Sequence, residues 1–290
     1  MTDSQQPVAN KSRAGRDLPA AIAVGLGLFG VVVVTLVWWP PGFIVALVVL
    51  TSLGAIEVHH ALRRVGMTSV VLPVVIGNIV IIGGSYAAAV LQPVTQIPWH
   101  VVLLGTIGGS VLLALIWRMF KGAEGYARDS AASLFIIGYI PLLASFVGLI
   151  LAQPHGVAKV VAVFLCITGS DTGGYAAGAS LGRHPMAPTI SPKKTWEGMA
   201  GSFALASVVG VLQVVFVMNQ PWWLGVLLAI VVVIFGTAGD LIESMIKRDV
   251  GIKDMSSFLP GHGGVMDRLD STLVAAPAAW LLFTILGVAQ

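Results

Sequence analysis

The segment Asp240–Asp270 holds six of the chain's thirteen acids: Asp240, Glu243, Asp249, Asp254, Asp267 and Asp270. Lys247, Arg248, Lys253, His262 and Arg268 stand among them. Asp240 ends the apolar run VVVIFGTAGD, at or just below a membrane surface, where an ionisable group is costly and usually functional. If the helix of that run continues, Asp240, Glu243, Ser244 and Lys247 line one face. Asp267 and Asp270 lie a helical turn apart at the start of the next apolar run, where the helix dipole favours negative charge. A helix cap accounts for one acid there, but not for two with Arg268 between them. The stretch between the runs returns to the same membrane face, so Asp240 and Asp267 can approach each other. Carboxylates sharing a site repel unless a cation or proton lies between them. Hard oxygen ligands suit magnesium, which takes one or two carboxylates plus substrate phosphates. GHGG (Gly261–Gly264) supplies backbone that can approach a ligand closely and offer N–H groups to anions.

Two further clusters complete the set. TGSDTGGY (Thr168–Tyr175) puts Asp171 late in an apolar run, in the inner half of a bilayer. SPKKTWEG (Ser191–Gly198) offers Lys193 and Lys194 for phosphates, Pro192 to stiffen a turn, and Thr195 to cap the next helix. Acids for metal, bases for phosphate and glycines for close approach are what phosphoryl or nucleotidyl transfer requires.

Membrane helices must position these groups. Of 290 residues, 57% are hydrophobic and 10% charged, a balance no soluble domain of this size can cover with a polar surface. Nine apolar runs are long enough to span, at about 19–38, 42–61, 69–91, 100–117, 131–151, 157–177, 199–218, 222–240 and 269–288. The predicted fold is all-α and polytopic. Alternate connections hold nearly all the charge, and the positive-inside rule then makes the N-terminus cytoplasmic, with Lys159 the one basic residue on the wrong side. Trp38, Trp39, Trp99, Trp222 and Trp223 fall at outer ends, as an aromatic belt would. Residues 1–17 read as a disordered cytoplasmic N-terminus, 18–155 as N-terminal transmembrane helices, and 156–290 as a catalytic membrane region with cytoplasmic loops 178–198 and 241–268.

Other motifs are coincidental. GLGLFG (Gly25–Gly30) matches a dinucleotide fingerprint but lies inside a span, without a preceding strand. GASLG (Gly178–Gly182) lacks the strand–turn–helix setting of a nucleophile elbow. The single cysteine, Cys166, excludes a disulfide framework, and no Cys/His cluster has zinc spacing.

The stretch Ser244–Asp270, SMIKRDVGIKDMSSFLPGHGGVMDRLD, resembles the signature of phosphatidate cytidylyltransferases, also called CDP-diacylglycerol synthases. Its pattern is S-x-apolar-K-R, four residues, K-D-x-small, two residues, apolar-x-x-H-G-G, then apolar-x-D-R-apolar-D. DTGGY (Asp171–Tyr175), SPKKTWEG and GDLIES (Gly239–Ser244) are similar to further family elements, and the likeness covers roughly 165–275. The resemblance implies transfer of the cytidylyl group of CTP to phosphatidate, giving CDP-diacylglycerol and pyrophosphate at the cytoplasmic face of the plasma membrane. It implies Mg2+ on Asp240 and Asp267 with support from Asp270, and room for a second divalent ion and a monovalent cation such as K+. Catalytic residues would be Asp240, Asp267, Lys247, Arg248 and Arg268. The substrate-binding set would be Asp171, Ser191, Lys193, Lys194, Thr195, Glu197, Ser244, Lys253, Asp254, His262, Gly263 and Gly264. Partners would be the two substrates and membrane lipids, with no nucleic acid; a homodimer is allowed for. Two other classes compete: an ion-coupled transporter, suggested by Asp171 within a span and glycine-broken helices but without a repeated half, and another CTP-using membrane lipid enzyme.

Overall fold

Within lipid a backbone finds no water to satisfy its N–H and C=O groups, so long apolar runs close their hydrogen bonds internally as helices. The computed structural model of the chain describes residues 27, 30–256, 258 and 263–287. Residues 30–38 are helical. There follow α1 (Pro40–Arg63), α2 (Val71–Thr95), α3 (Trp99–Met119), α4 (Tyr126–Tyr139), α5 (Pro141–Leu151) and α6 (Gly156–Leu181). A short hairpin, β1 (Pro185–Ala187) and β2 (Ser191–Thr195), precedes α7 (Trp196–Leu212), whose last turn widens into a π-helical stretch at Gln213–Val217. Then come α8 (Trp222–Asp249) and α9 (Met266–Ile285).

Among the described residues seven helical stretches are long and apolar enough to cross a membrane: α1, α2, α3, α4 with α5, α6, α7 with its π-helical end, and α8. The last apolar run forms α9, 20 residues long, with Asp267, Arg268 and Asp270 in its first turns. The span expected at 131–151 begins earlier, at Tyr126, and is two helices meeting at Pro141, where Ile140 is distorted from ideal helical angles (φ −100°, ψ −72°). Proline fits a helix start because its missing N–H would be unpaired there anyway. Half of the run expected at 19–38 and all of residues 1–17 lie outside the described residues.

The fold is nearly all-α, as expected, and the hairpin is the exception among the described residues. Its strands pair antiparallel, Pro185 opposite Thr195 and Ala187 opposite Ser191, inside the stretch expected as loop 178–198. That loop and 241–268 are both shortened, because α6 runs on to Leu181 and α8 to Asp249.

Close helix approaches depend on small residues. A Cβ on Gly201 of α7 would run into Ala177 and the carbonyl of Gly173 on α6. A Cβ on Gly239 of α8 would strike the carbonyl of Asp270 on α9. One buried apolar cluster runs through α1, α2, α3, α4, α5, α6, α8 and α9. Lys159, the exception to the charge asymmetry, sits inside this packing: 2% exposed, its Nζ donates to Gln153 Oε1 at 2.9 Å and lies 5.6 Å from the Phe283 ring. It is a buried, hydrogen-bonded lysine rather than a loop charge. Trp99 likewise turns inward onto Trp280 at 5.4 Å, whereas Trp38, Trp39 and Trp222 are exposed.

Candidate active site

The helix of the apolar run does continue, and its last three turns carry the acids. Lys247 Nζ donates to Glu243 Oε2 at 2.6 Å, one turn back, and to Asp267 Oδ1 on α9 at 2.7 Å. The Glu243 side chain is 1% exposed, and its second oxygen, Oε1, is buried without a protein partner. One turn earlier Asp240 Oδ2 pairs with Lys194 Nζ of β2 at 2.5 Å, while Ser244 Oγ donates to Asp240 Oδ1 at 3.5 Å. Asp240 and Asp267 thus each hold a lysine, and no hydrogen bond joins them. The acid across the helix contact from Asp240 is Asp270, 9% exposed, whose backbone packs on Gly239 and whose Oδ1 accepts from Ser271 N at 2.7 Å.

The start of α9 is organised by two carboxylates. Asp267 Oδ2 accepts from Gly264 N at 2.8 Å and Met255 N at 3.1 Å. Glu57, from α1, reaches the same place: its Oε1 accepts from Ser256 Oγ at 2.5 Å and Val265 N at 3.0 Å, its Oε2 from Met266 N at 2.8 Å. The amides of Val265 and Met266 are among the N–H groups a helix N-terminus leaves unpaired. Gly263 has φ +82°, a conformation only glycine adopts freely. A Cβ on Gly264 would lie 2.7 Å from Glu57 Oε2 and 3.0 Å from Asp267 Oδ2, which leaves no room for a side chain.

Between α6, α7, α8 and the hairpin lies a cavity of about 300 Å³. Asp171, Asp240, Lys193, Lys194, Thr195, Ser170 and Ser271 are among its polar lining, with Ile167, Met186, Met199 and Val232 on the apolar side. A carboxylate pair, a lysine pair and an apolar wall fit an anionic head attached to a greasy tail. Thr195 caps α7, its Oγ1 accepting from Gly198 N at 3.1 Å. Glu197 turns to the hairpin, with Oε1 2.5 Å from His184 Nδ1 and Oε2 accepting from the amides of Arg183 and His184 at 3.2 and 3.3 Å. Arg248 Nε donates to Ile190 O at 3.3 Å, tying the hairpin turn to α8. Lys193, Lys253, Asp254 and Arg268 are exposed, and Ser191 is half-buried on β2. His262 lies outside the described residues.

The structure therefore gathers Asp171, Asp240, Lys193, Lys194 and Thr195 around one cavity, and Glu243, Lys247, Asp267 and Gly264 beside it. Two residues absent from the expected set belong to this framework. Glu243 shares the predicted helix face with Asp240, so its spacing was a usable signal. Glu57 carried none beyond being an acid near the end of an apolar run. Among the described residues no three His, Cys, Asp or Glu side chains form a ready-made metal cage.

Apolar helices long enough to span a bilayer, converging on acids, lysines and a half-apolar cavity, define a polytopic membrane protein built to handle an anionic, lipid-like ligand. The chain belongs to the cytidylyltransferase family, whose model matches residues 19–286. It is 38% identical over 298 residues to a phosphatidate cytidylyltransferase of Mycobacterium bovis, covering 97% of this chain and 93% of the relative. A phosphatidate cytidylyltransferase of Mycobacterium leprae is 38% identical over 300 residues, with 97% and 92% covered. One from Staphylococcus saprophyticus is 37% identical over 150 residues, 51% of this chain and 57% of that protein.

Proposed function

We propose that the chain transfers the cytidylyl group of CTP to phosphatidate, forming CDP-diacylglycerol and pyrophosphate. The observation that carries this is the cavity: phosphate-binding lysines and carboxylates open onto an apolar wall among membrane helices, in a chain matched almost end to end by phosphatidate cytidylyltransferases. A phosphatidate phosphate oxygen forms a bond to the α-phosphorus of CTP as the bond to the β-phosphate oxygen breaks, and pyrophosphate leaves. The nucleophile is already an anion, so no strong base is needed; the barrier is repulsion between anions, met by positioning and charge neutralisation.

Lys193 and Lys194 hold phosphate at the cavity, with Arg248, Lys253 and Arg268 around its cytoplasmic mouth. Lys247 acts differently: its charge is committed to Glu243 and Asp267, so it orders carboxylates rather than gripping substrate. The residues present fit a divalent cation. Magnesium needs only one or two carboxylates plus substrate phosphates, so a three-residue cage is unnecessary; the buried, unpartnered Glu243 Oε1 marks a spot short of positive charge. One or two of Asp240, Asp267 and Asp270, together with substrate phosphates, would hold the ion, which would supply neutralisation of the phosphate charge. When a phosphate draws Lys194 away from Asp240, that carboxylate becomes available to a cation.

The reading includes nine spans with the N-terminus cytoplasmic and the site facing the cytoplasm at the plasma membrane. The seven long apolar stretches, α9 and the helical residues 30–38 support that number, and the buried state of Lys159 supports the orientation. The test is an assay of membranes with phosphatidate, labelled CTP and MgCl2. CDP-lipid should form, chelation should stop it, and Asp267→Asn should lower turnover at least about a hundredfold while the protein still inserts. Absence of magnesium-dependent CDP-lipid from the wild type overturns the reading.

A further inference from the structure

Glu57 stands outside every motif of the site, yet its carboxylate and that of Asp267 grip one short stretch from opposite sides. Asp267 takes the amide of Gly264, and Glu57 takes the next two, Val265 and Met266. Glu57 also takes the Ser256 hydroxyl, beside Met255, whose amide bonds Asp267. Each pair of contacts ties Met255 and Ser256 to the first turn of α9. A helix start is ordinarily capped by a neighbouring side chain of its own chain segment. Here a glutamate from α1, 7% exposed, does it instead.

The division of labour has a chemical reason. Asp267 is committed on both oxygens, Oδ1 to Lys247 and Oδ2 to two amides. In the proposed reaction it also faces a cation, which must compete for the same lone pairs. If Asp267 alone fixed the start of α9, every such exchange would loosen the helix that carries it. We propose that Glu57 is a positioning residue, holding the first turn of α9 in register so that Asp267 can change partners. Its three donors among the described residues are protein groups, two of them backbone amides, so its hold does not depend on what Asp267 binds. This inference rests on the proposed cytidylyl transfer for its kinetic consequence, though not for the clamp itself.

The test compares wild type and Glu57→Gln in detergent, by hydrogen exchange and by turnover with phosphatidate, labelled CTP and graded MgCl2. Glutamine keeps the size but offers one acceptor oxygen and turns an N–H towards an amide N–H. The amides of Val265 and Met266 should exchange faster while those of α6 and α7 stay protected. kcat per folded molecule should fall about tenfold to a hundredfold, the loss of a hydrogen bond to a charged group. The magnesium concentration for half-maximal rate should rise, with KM for phosphatidate within about twofold of wild type. A residue of purely structural value would lower the folded fraction and leave kcat and the magnesium response of the remainder unchanged. That result, or unchanged exchange at Val265 and Met266, overturns the proposal. If Glu57→Gln does not insert, Glu57→Asp, which draws the carboxylate back from the two amides, takes its place in both measurements with the same expectations. If the wild type makes no CDP-lipid, the functional reading falls, and the exchange data still decide the clamp.

Discussion

Lys247→Met isolates the charge balance of the site. Methionine keeps most of the lysine stem and removes the ammonium. On a surface such a loss costs about 0–1 kcal/mol. Here the ammonium serves two carboxylates at 2.6 and 2.7 Å, with side chains 14% exposed for Lys247, 1% for Glu243 and 11% for Asp267. Breaking a buried pair on one side costs about 3–5 kcal/mol, because it strands a charge that cannot regain water. The two acids are not stranded equally. Asp267 keeps the amides of Gly264 and Met255, whereas Glu243, more deeply buried, loses its lysine and already has an unpaired Oε1. Most of the cost therefore falls on Glu243. Unfolding in mixed micelles, followed by tryptophan fluorescence, should show Lys247→Met destabilised by about 3–5 kcal/mol. Adding Glu243→Gln should recover about half or more, and adding Asp267→Asn clearly less; this is a double-mutant comparison between groups in contact. A single variant within about 1 kcal/mol of wild type, or better rescue by Asp267→Asn, would refute the assignment of the buried charge to Glu243.

Lys194→Ala should change stability by no more than about 1 kcal/mol, because its pair with Asp240 is partly exposed, at 23% and 38%. It should nevertheless raise KM for CTP or phosphatidate about tenfold or more, as loss of a charged phosphate contact would; steady-state assays with each substrate varied separate the two. Gly201→Ala should destabilise by about 1–3 kcal/mol, since its methyl must displace Ala177 or the Gly173 carbonyl. It should also cut activity by moving Asp171 away from Lys194 across the cavity, read in the same micelle unfolding and turnover assays.

Much of the architecture is legible because lipid leaves a chain few choices. Runs of apolar residues became helices at nearly the expected places, and the continuation of α8 followed from the periodicity of Asp240, Glu243, Ser244 and Lys247. The hairpin was not legible, since Pro185–Ala187 is only three residues long and Ser191–Thr195 carries two lysines and a proline rather than an alternating apolar pattern. Nor was the break in the span at Tyr139–Pro141, because hydropathy averages across it while Pro141 acts locally. For the site, types and spacing named the acids and bases that gather, but charge pairing chose the partners. Asp240 and Asp267 were expected to face each other because both end a loop on one membrane face. In the protein each meets a lysine first, as unlike charges at low dielectric must.

The hardest contact to read was that of Glu57. Its partners lie 199 to 209 residues further along the chain, and two of them are backbone amides, which leave no mark on residue type. The motifs that carry the resemblance in the sequence, within about 165–275, point away from α1. Yet α9 packs on α1 as well as on α8, and a helix start buried between them must find acceptors for its unpaired N–H groups somewhere. No Ser, Thr, Asn or Asp stands just before Met266, where Gly263, Gly264 and Val265 offer no side-chain acceptor. That missing cap is the signal: the acceptor had to come from elsewhere, and a buried acid on a neighbouring helix is the group able to take several donors at once. The same glycines that let the backbone approach the site thus oblige the N-terminal half to complete it.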